Sequence, residues 1–186
     1  TTTASDNTAV GSYALAANTT GTRNVAVGYA ALDAATTASD NTYVGSGAGS
    51  ANTSGDHNTG IGQASMDELT TGANNTAVGS KSLSGAVTGD NNTAVGYSAL
   101  LYNTTGAENV AMGSYALDAN TTASYNTAVG HYALGANTTG ARNTGIGRTA
   151  LQTNTTGTYN VALGMDALSA NTTADSNTAV GYAALT

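Results

Sequence analysis

A chain of 186 residues ordinarily makes one globular domain, but this one holds 24 Gly, lacks Pro, Cys, Trp and Phe, and is only 8% charged. Its basic residues are Arg23, Lys81, Arg142 and Arg148, and with a net charge of −7 they exclude the clustered positive surface that nucleic acid requires. The absence of Cys excludes a disulfide framework and a thiolate zinc site, and no apolar run is long enough to cross a bilayer.

Internal repetition organises everything else. Asn stands at 7, 24, 41, 58, 75, 92, 109, 126, 143, 160 and 177, a spacing of 17 that never slips. With each such Asn as position 0, the unit reads N-T-A-V-G-x-x-A-L-x-x-N-T-T-G-x-x, and Asn126–Arg142 fills every fixed place. Residues 1–186 thus form one repetitive segment of eleven units, from the phase marker Asn7 through Asn24 to Asn177. Neither end departs from the pattern as a capping unit would, and no basic-then-apolar leader precedes Thr1, so an interior or processed piece is expected.

Seventeen residues are too few for a helical hairpin, and Thr and Val beside Asn and Gly favour strand at positions 0 to 4. The unit is therefore expected to be one coil of an all-β parallel β-solenoid, or β-roll. Position 3 is always apolar and reads as an inward column, represented by Val10, Val27, Val78, Val95 and Val129. Position 1 shares its parity, and there Thr alternates only with Val25, Val110 and Val161.

Position 4 is Gly in every unit: Gly11, Gly28, Gly45, Gly62, Gly79, Gly96, Gly113, Gly130, Gly147, Gly164 and Gly181. It reads as a structural corner, where φ is positive or the backbone packs too closely for a side chain. Position 8 is a second core column, with Leu15, Leu32, Leu83, Leu100 and Leu134 among its nine leucines and Gly49 and Met66 as exceptions. Asn-Thr-Thr-Gly at positions 11 to 14 is turn chemistry that closes the coil.

The absence of insertions means that coils stack without a break, since one added residue would reverse the facing of a strand. At about 4.8 Å per coil, eleven coils make a rod about 50 Å long. One Val and one Leu per coil are a small apolar core, so further burial is expected from identical chains packing in a parallel homo-oligomer. The Ala columns at positions 2 and 7, facing away from position 3, are the expected contact surface.

Residues 24–32 (NVAVGYAAL), 92–100 (NTAVGYSAL) and 177–185 (NTAVGYAAL) resemble the Asn-Ser-Val-Ala-Ile-Gly head repeats of trimeric autotransporter adhesins. They are more similar still to the Asn-Thr-Ala-Val-Gly repeats of phage tail fibres and giant bacterial surface adhesins, and the resemblance spans the chain. It implies a left-handed roll, assembled most often as a trimer, displayed at the cell surface or on a virion tail fibre and used to hold or attach. A cell-surface protein or glycan receptor is the partner it implies. The unit here is longer than the family's, and no neck, coiled coil or anchor accompanies it.

Six of the ten Tyr follow the Gly corner at positions 5 or 6: Tyr13, Tyr29, Tyr97, Tyr115, Tyr132 and Tyr182. Tyr offers contact area and a polar tip at little entropic cost, which suits recognition of proteins or sugars, although rim packing between chains is the favoured account of the column, since a regular shaft need not bind anything along its length. Acidic residues fall only at variable positions and read as solvated edges; they form neither a calcium roll nor the carboxylate pair of a depolymerase. His57 and His131 occupy different positions, 16 and 5, which argues against a metal or catalytic pair. Gly45, Gly47 and Gly49 lack the following helix of a phosphate loop. Nine Asn-x-Thr/Ser sequons, at Asn18, Asn52, Asn74, Asn91, Asn103, Asn120, Asn137, Asn154 and Asn171, are mostly explained as turns.

The leading expectation is thus a structural shaft or head of an extracellular adhesive fibre, with no cofactor, no metal and no enzymatic activity. An ice-binding solenoid is the alternative, because Thr at positions 1, 12 and 13 recurs at the coil spacing. Positions 12 and 13 face opposite ways, which weakens that alternative.

Overall fold

A computed structural model of the chain describes residues 3–85 and 87–186. Eleven three-residue strands run parallel, one per coil: β1 (Thr8–Val10), β2 (Val25–Val27), β3 (Thr42–Val44), β4 (Thr59–Ile61), β5 (Thr76–Val78), β6 (Thr93–Val95), β7 (Val110–Met112), β8 (Thr127–Val129), β9 (Thr144–Ile146), β10 (Val161–Leu163) and β11 (Thr178–Val180). They form a single sheet in sequence order, and each residue pairs with the one 17 places on, as Thr76 with Thr93 and Val78 with Val95. The fold is a parallel β-solenoid with one coil per repeat, and among the described residues no helix is long and apolar enough to cross a membrane.

Coils are stitched together along the axis all round their circumference. Thr76 N–H donates to the Asn92 carbonyl at 2.8 Å, Gly96 N–H to the Val78 carbonyl at 2.8 Å, and Leu100 N–H to the Ala116 carbonyl at 2.9 Å. Two buried Asn ladders run beside these backbone bonds. At position 0, Asn75 N–H donates to Asn58 Oδ1 at 2.9 Å while its own Nδ2 reaches the Gly89 carbonyl at 3.0 Å. At position 11, Asn120 Nδ2 donates to Asn103 Oδ1 at 2.9 Å. Each Asn thereby satisfies polar groups that would otherwise be buried without partners.

The Gly corner is a stacking requirement. Gly28 has φ +135°, and a Cβ added there would lie 2.4 Å from the Gly45 carbonyl oxygen of the next coil. Beyond that corner Leu32, Leu83, Leu100 and Leu134 also adopt positive φ, between 49° and 55°. This conformation costs a non-glycine residue roughly 1–2 kcal/mol. Full burial of a leucine, roughly 1.5–3 kcal/mol, offsets it, and all four side chains are fully buried. Leu15, in the first complete coil, is partly buried against the same core.

The strand faces the opposite way from the sequence expectation. Ala26, Ala77, Ala94, Ala111, Ala128 and Ala162 at position 2 are 0% exposed, as are Ala31, Ala99 and Ala133 at position 7. Position 3 points outward: Val10 is exposed, Ile61 is 41% and Met112 45% exposed, and Val27, Val78, Val95 and Val129 are half-buried. Val10, Val27, Val78, Val95 and Val129 are therefore an outer column, and the Ala columns are closed to any sister chain. The reason is width: Leu projects across the coil from position 8 and the two Asn ladders fill its corners, leaving room opposite for a methyl group and no more.

One stretch keeps the interior filled by other means. In β3 the inward residue is Tyr43, fully buried, and the neighbouring places that usually carry Leu and Ala hold Gly49 and Gly60. A Cβ on either glycine would come within 2.5 Å of the Tyr43 ring. The Tyr43 hydroxyl meets Met66 Sδ at 3.5 Å, and burial pushes its pKa above the ordinary phenol value. Gly49 is thus one partner of a volume exchange with Tyr43.

Candidate recognition edge

The corner that follows each Gly sends positions 5 and 6 to one edge of the rod, so Tyr residues in different coils become vertical neighbours. Tyr97, Tyr115 and Tyr132, from three consecutive coils, form a continuous column. Tyr97 meets Tyr115 edge to face at 5.4 Å between centroids, and Tyr115 stacks on Tyr132 at 4.8 Å with 6° between the ring planes. His131 closes the group edge-on to Tyr132 at 4.4 Å. Burial, with neighbouring Tyr97 and Tyr132 adding to it, raises the pKa of Tyr115 above the usual phenol value. Tyr13 and Tyr29 form a separate edge-to-face pair at 5.9 Å, and Tyr182 is exposed in the last coil, apart from both groups.

Below this column lies a concavity of about 260 Å³ lined by Asp118, Tyr132, Gly135, Ala136, Gln152 and Thr153. Burial raises the pKa of Asp118 above the ordinary carboxylate value, opposed by hydrogen bonds from nearby backbone N–H groups. Nothing in the repeat consensus points to this place, because Gly135 sits at a variable position and a missing side chain leaves no motif.

A second edge, formed by position 16, escaped the sequence reading although the same 17-residue stacking predicts it. Arg142 lies between Tyr125 and Tyr159, with its guanidinium carbon 5.0 Å and 5.6 Å from the two ring centroids. In the same column Arg23 Nη2 donates to Asp40 Oδ2 at 2.7 Å, and Nε completes a bidentate pair through Oδ1. The hydrogen bond to Asp40 raises the Arg23 pKa, and the hydrogen bond from Arg23 holds the Asp40 carboxyl below its usual range. The pair is solvent-facing and adds little stability.

The acidic residues at position 15 have a local task. Asp56, Asp90 and Asp175 accept backbone N–H bonds from Ser39, Ala73 and Thr158 of the preceding coil at 2.7, 2.8 and 2.6 Å. Ser39 and Ser124 do the same with hydroxyls at 3.1 and 3.0 Å. No group of three His, Asp or Glu side chains able to hold a metal occurs among the described residues, and His57 and His131 stand on separate edges. Of the sequon residues, Asn52, Asn103, Asn120, Asn137 and Asn154 are fully buried in the position-11 turn or ladder and closed to glycosylation, whereas Asn74 and Asn91 are exposed at position 16.

The chain matches no protein-family model, no curated protein and no solved structure.

Proposed function

We propose that this chain is a structural shaft or head segment of an extracellular adhesive fibre, on a cell surface or a virion tail, and that it carries out no catalysis. The single observation behind this reading is the unbroken stacking of eleven strands in one sheet, each joined to the next by bonds parallel to the rod axis. Load along the axis is shared by many backbone hydrogen bonds at every coil boundary, which suits a shaft. The resemblance of the Asn-Thr-Ala-Val-Gly units to surface and tail fibres points the same way.

The parallel homo-oligomer belongs to this reading, with its contact surface on the outer face of the sheet, positions 1 and 3, in place of the Ala columns. That face carries Thr, Val, Ile, Met and Leu and no charged side chain. It measures about 50 Å by about 10 Å, on the order of 500 Å², less than the roughly 800 Å² per partner of a standard interface, so the contact is a long uncharged seam that draws on the edges beside the sheet as well. A trimer, with the three sheets facing a common axis, is the arrangement the resemblance favours. Sedimentation equilibrium together with attachment of chain-coated beads to cells or solid surfaces tests the reading. Associated chains and bead attachment are expected; a monodisperse monomer whose beads attach to nothing would refute it.

Ice binding is the second reading. The reversed strand places Thr76, Thr93 and Thr127 on the outer face, in a regular array with the valines. Position-12 hydroxyls offer no such array, being engaged with the next coil, as Thr104 Oγ1 is with the Thr121 carbonyl at 2.9 Å. Thermal hysteresis in a freezing-point assay would favour this reading over the fibre.

A further inference from the structure

At position 9, Ser84 donates to the Asp67 carboxylate in the coil before it, whereas Ser50, one coil on from Asp33, donates to the Asp67 backbone carbonyl and leaves Asp33 Oδ1 buried without a partner. Asp118 occupies the same position, but its neighbour one coil on is Gly135, followed by Ala136. The side chain that would have met the carboxylate is absent. The result is the notch of about 260 Å³, floored by Gly135 and Ala136 and walled by Asp118 on one side and Gln152 on the other. Tyr132, at the end of the stacked column with Tyr115, forms a third wall. Thr153 completes the lining, with its hydroxyl turned toward the Ser169 and Asn171 carbonyls and away from the notch's polar groups.

We infer that this notch is a carbohydrate subsite that takes one pyranose ring, held by hydroxyl hydrogen bonds to Asp118 and Gln152 and by contact of its C–H face with Tyr132. A carboxylate that accepts two hydroxyls and a carboxamide that both donates and accepts match the vicinal hydroxyls of a sugar, and an aromatic ring matches its apolar face. Size favours a sugar over a protein: a concavity of about 260 Å³ can seat a single ring, whereas a stable protein contact needs about 800 Å² per partner. Burial raises the Asp118 pKa, in keeping with a carboxylate drawn partly out of solvent. The site deepens the adhesive reading and rests on it for its biological sense, since it supplies the shaft with a glycan contact.

The repeat supplies its own test. Ser50, Ser84 and Ser169 occupy the place of Gly135 in other coils and the Gly135 φ is not in the left-handed region, but a Cβ there would meet Tyr132 Cδ1 at 3.3 Å and Asp118 Oδ1 at 3.4 Å, so Gly135→Ser is expected to fold with a small shift of the Tyr132 ring and to narrow the notch between those two walls. Saturation-transfer NMR with the methyl glycosides of glucose, galactose, mannose and N-acetylglucosamine is expected to show transfer to ring protons of at least one of them. In Gly135→Ser, checked for folding by circular dichroism, that transfer should fall about tenfold; Gln152→Ala, which leaves the notch open, should weaken it several-fold. No transfer to any glycoside, or transfer unchanged in both variants, overturns the subsite. Beads that attach to surfaces while no glycoside binds would remove the subsite and leave the fibre standing. Glycoside binding by a monomer whose beads never attach would remove the fibre reading instead.

Discussion

The interior at β6 and the interior at β3 are filled to the same extent by different residues. Around Ala94, a methyl group faces Leu100 and another methyl at Ala111; around Tyr43, a phenol ring occupies the space of all three, with Gly49 and Gly60 standing in for the leucine and the second alanine. The comparison teaches that the coil constrains total volume more tightly than side-chain identity, as expected of an interior packed to crystal-like density. It also shows why small residues dominate: the coil is so narrow that one large side chain must be matched by two empty places.

The sharpest way to break that equivalence is to install the ring without the glycines. Ala94→Tyr should destabilise its coil by more than about 3 kcal/mol, beyond the usual range for overpacking, because no rotamer avoids Leu100 and Ala111. Adding Leu100→Gly and Ala111→Gly recreates the β3 arrangement and should recover most of the loss. Chemical denaturation of the single and triple variants measures both steps, and a triple variant no more stable than the single one would refute the volume argument.

The reverse exchange comes next in size. Tyr43→Ala restores the residue that most coils carry at that place, yet Gly49 and Gly60 cannot refill the space, so a loss of roughly 3 kcal/mol or more is expected from the cavity. In calorimetry this consensus-like substitution should lower the melting temperature, which a reading based on repeat identity alone would not anticipate.

The two Asn ladders extend the comparison to polar groups. The position-11 ladder is already interrupted by Ala35 and Leu69, both buried without harm to the stack, whereas position 0 is Asn in every coil. Asn109→Ala should therefore cost roughly 1–3 kcal/mol, because it strands the Asn126 N–H and removes one of the two amide donors to the Ala123 carbonyl, the other being Asn120, while Asn120→Leu should cost visibly less. Equal losses in urea titration would contradict this ranking.

Much of this architecture was legible in the sequence. The 17-residue period and the Gly corner each follow from a residue that is the same in every unit, and the Leu column from one that recurs in all but Gly49 and Met66. The facing of the strand was not legible, since a three-residue strand of Thr-Ala-Val has the same alternation whichever side is inside, and assigning the larger residue inward assumed a wider coil than Leu100 and Asn92 leave. The Tyr97–Tyr115–Tyr132 column could be read by stacking positions 5 and 6. The notch at Gly135 could not, because its signal is a side chain missing from a place where the repeat has no rule. Arg142 between Tyr125 and Tyr159 lay between these cases, visible only when a variable position is read vertically, coil upon coil.

The outer face gives a smaller effect on the single chain and a large one on its association. Val95→Lys with Val129→Lys replaces half-buried outer residues and should change monomer stability by no more than about 0.5 kcal/mol for each. Two lysines facing the same surface of a sister chain would repel, so sedimentation should shift from oligomer to monomer. Marked unfolding of the double variant would mean that position 3 contributes more to the single coil than its exposure suggests.

The smallest expected effect lies at the notch, where Asp118 and Asp67 share a position but differ in partner, Ser84 for one and Gly135 for the other. Burial raises the folded-state pKa of Asp118 above its unfolded value, so the folded chain binds this proton more tightly than the unfolded chain. Stability from this group is then complete below the unfolded pKa and falls as pH rises through the folded pKa, the reverse of a salt-bridged carboxylate. Asp118→Asn removes the ionisation, so it should raise the melting temperature slightly at neutral pH and leave it nearly unchanged in acid. The same substitution at Asp67 should lower stability slightly, because the Asn carboxamide oxygen still accepts the Ser84 hydroxyl but without the charge that strengthens the bond. Melting curves of the two variants across the acid range would separate a carboxylate waiting for a ligand from one already satisfied by its neighbour, and matching profiles would place Asp118 among the ordinary solvated edges.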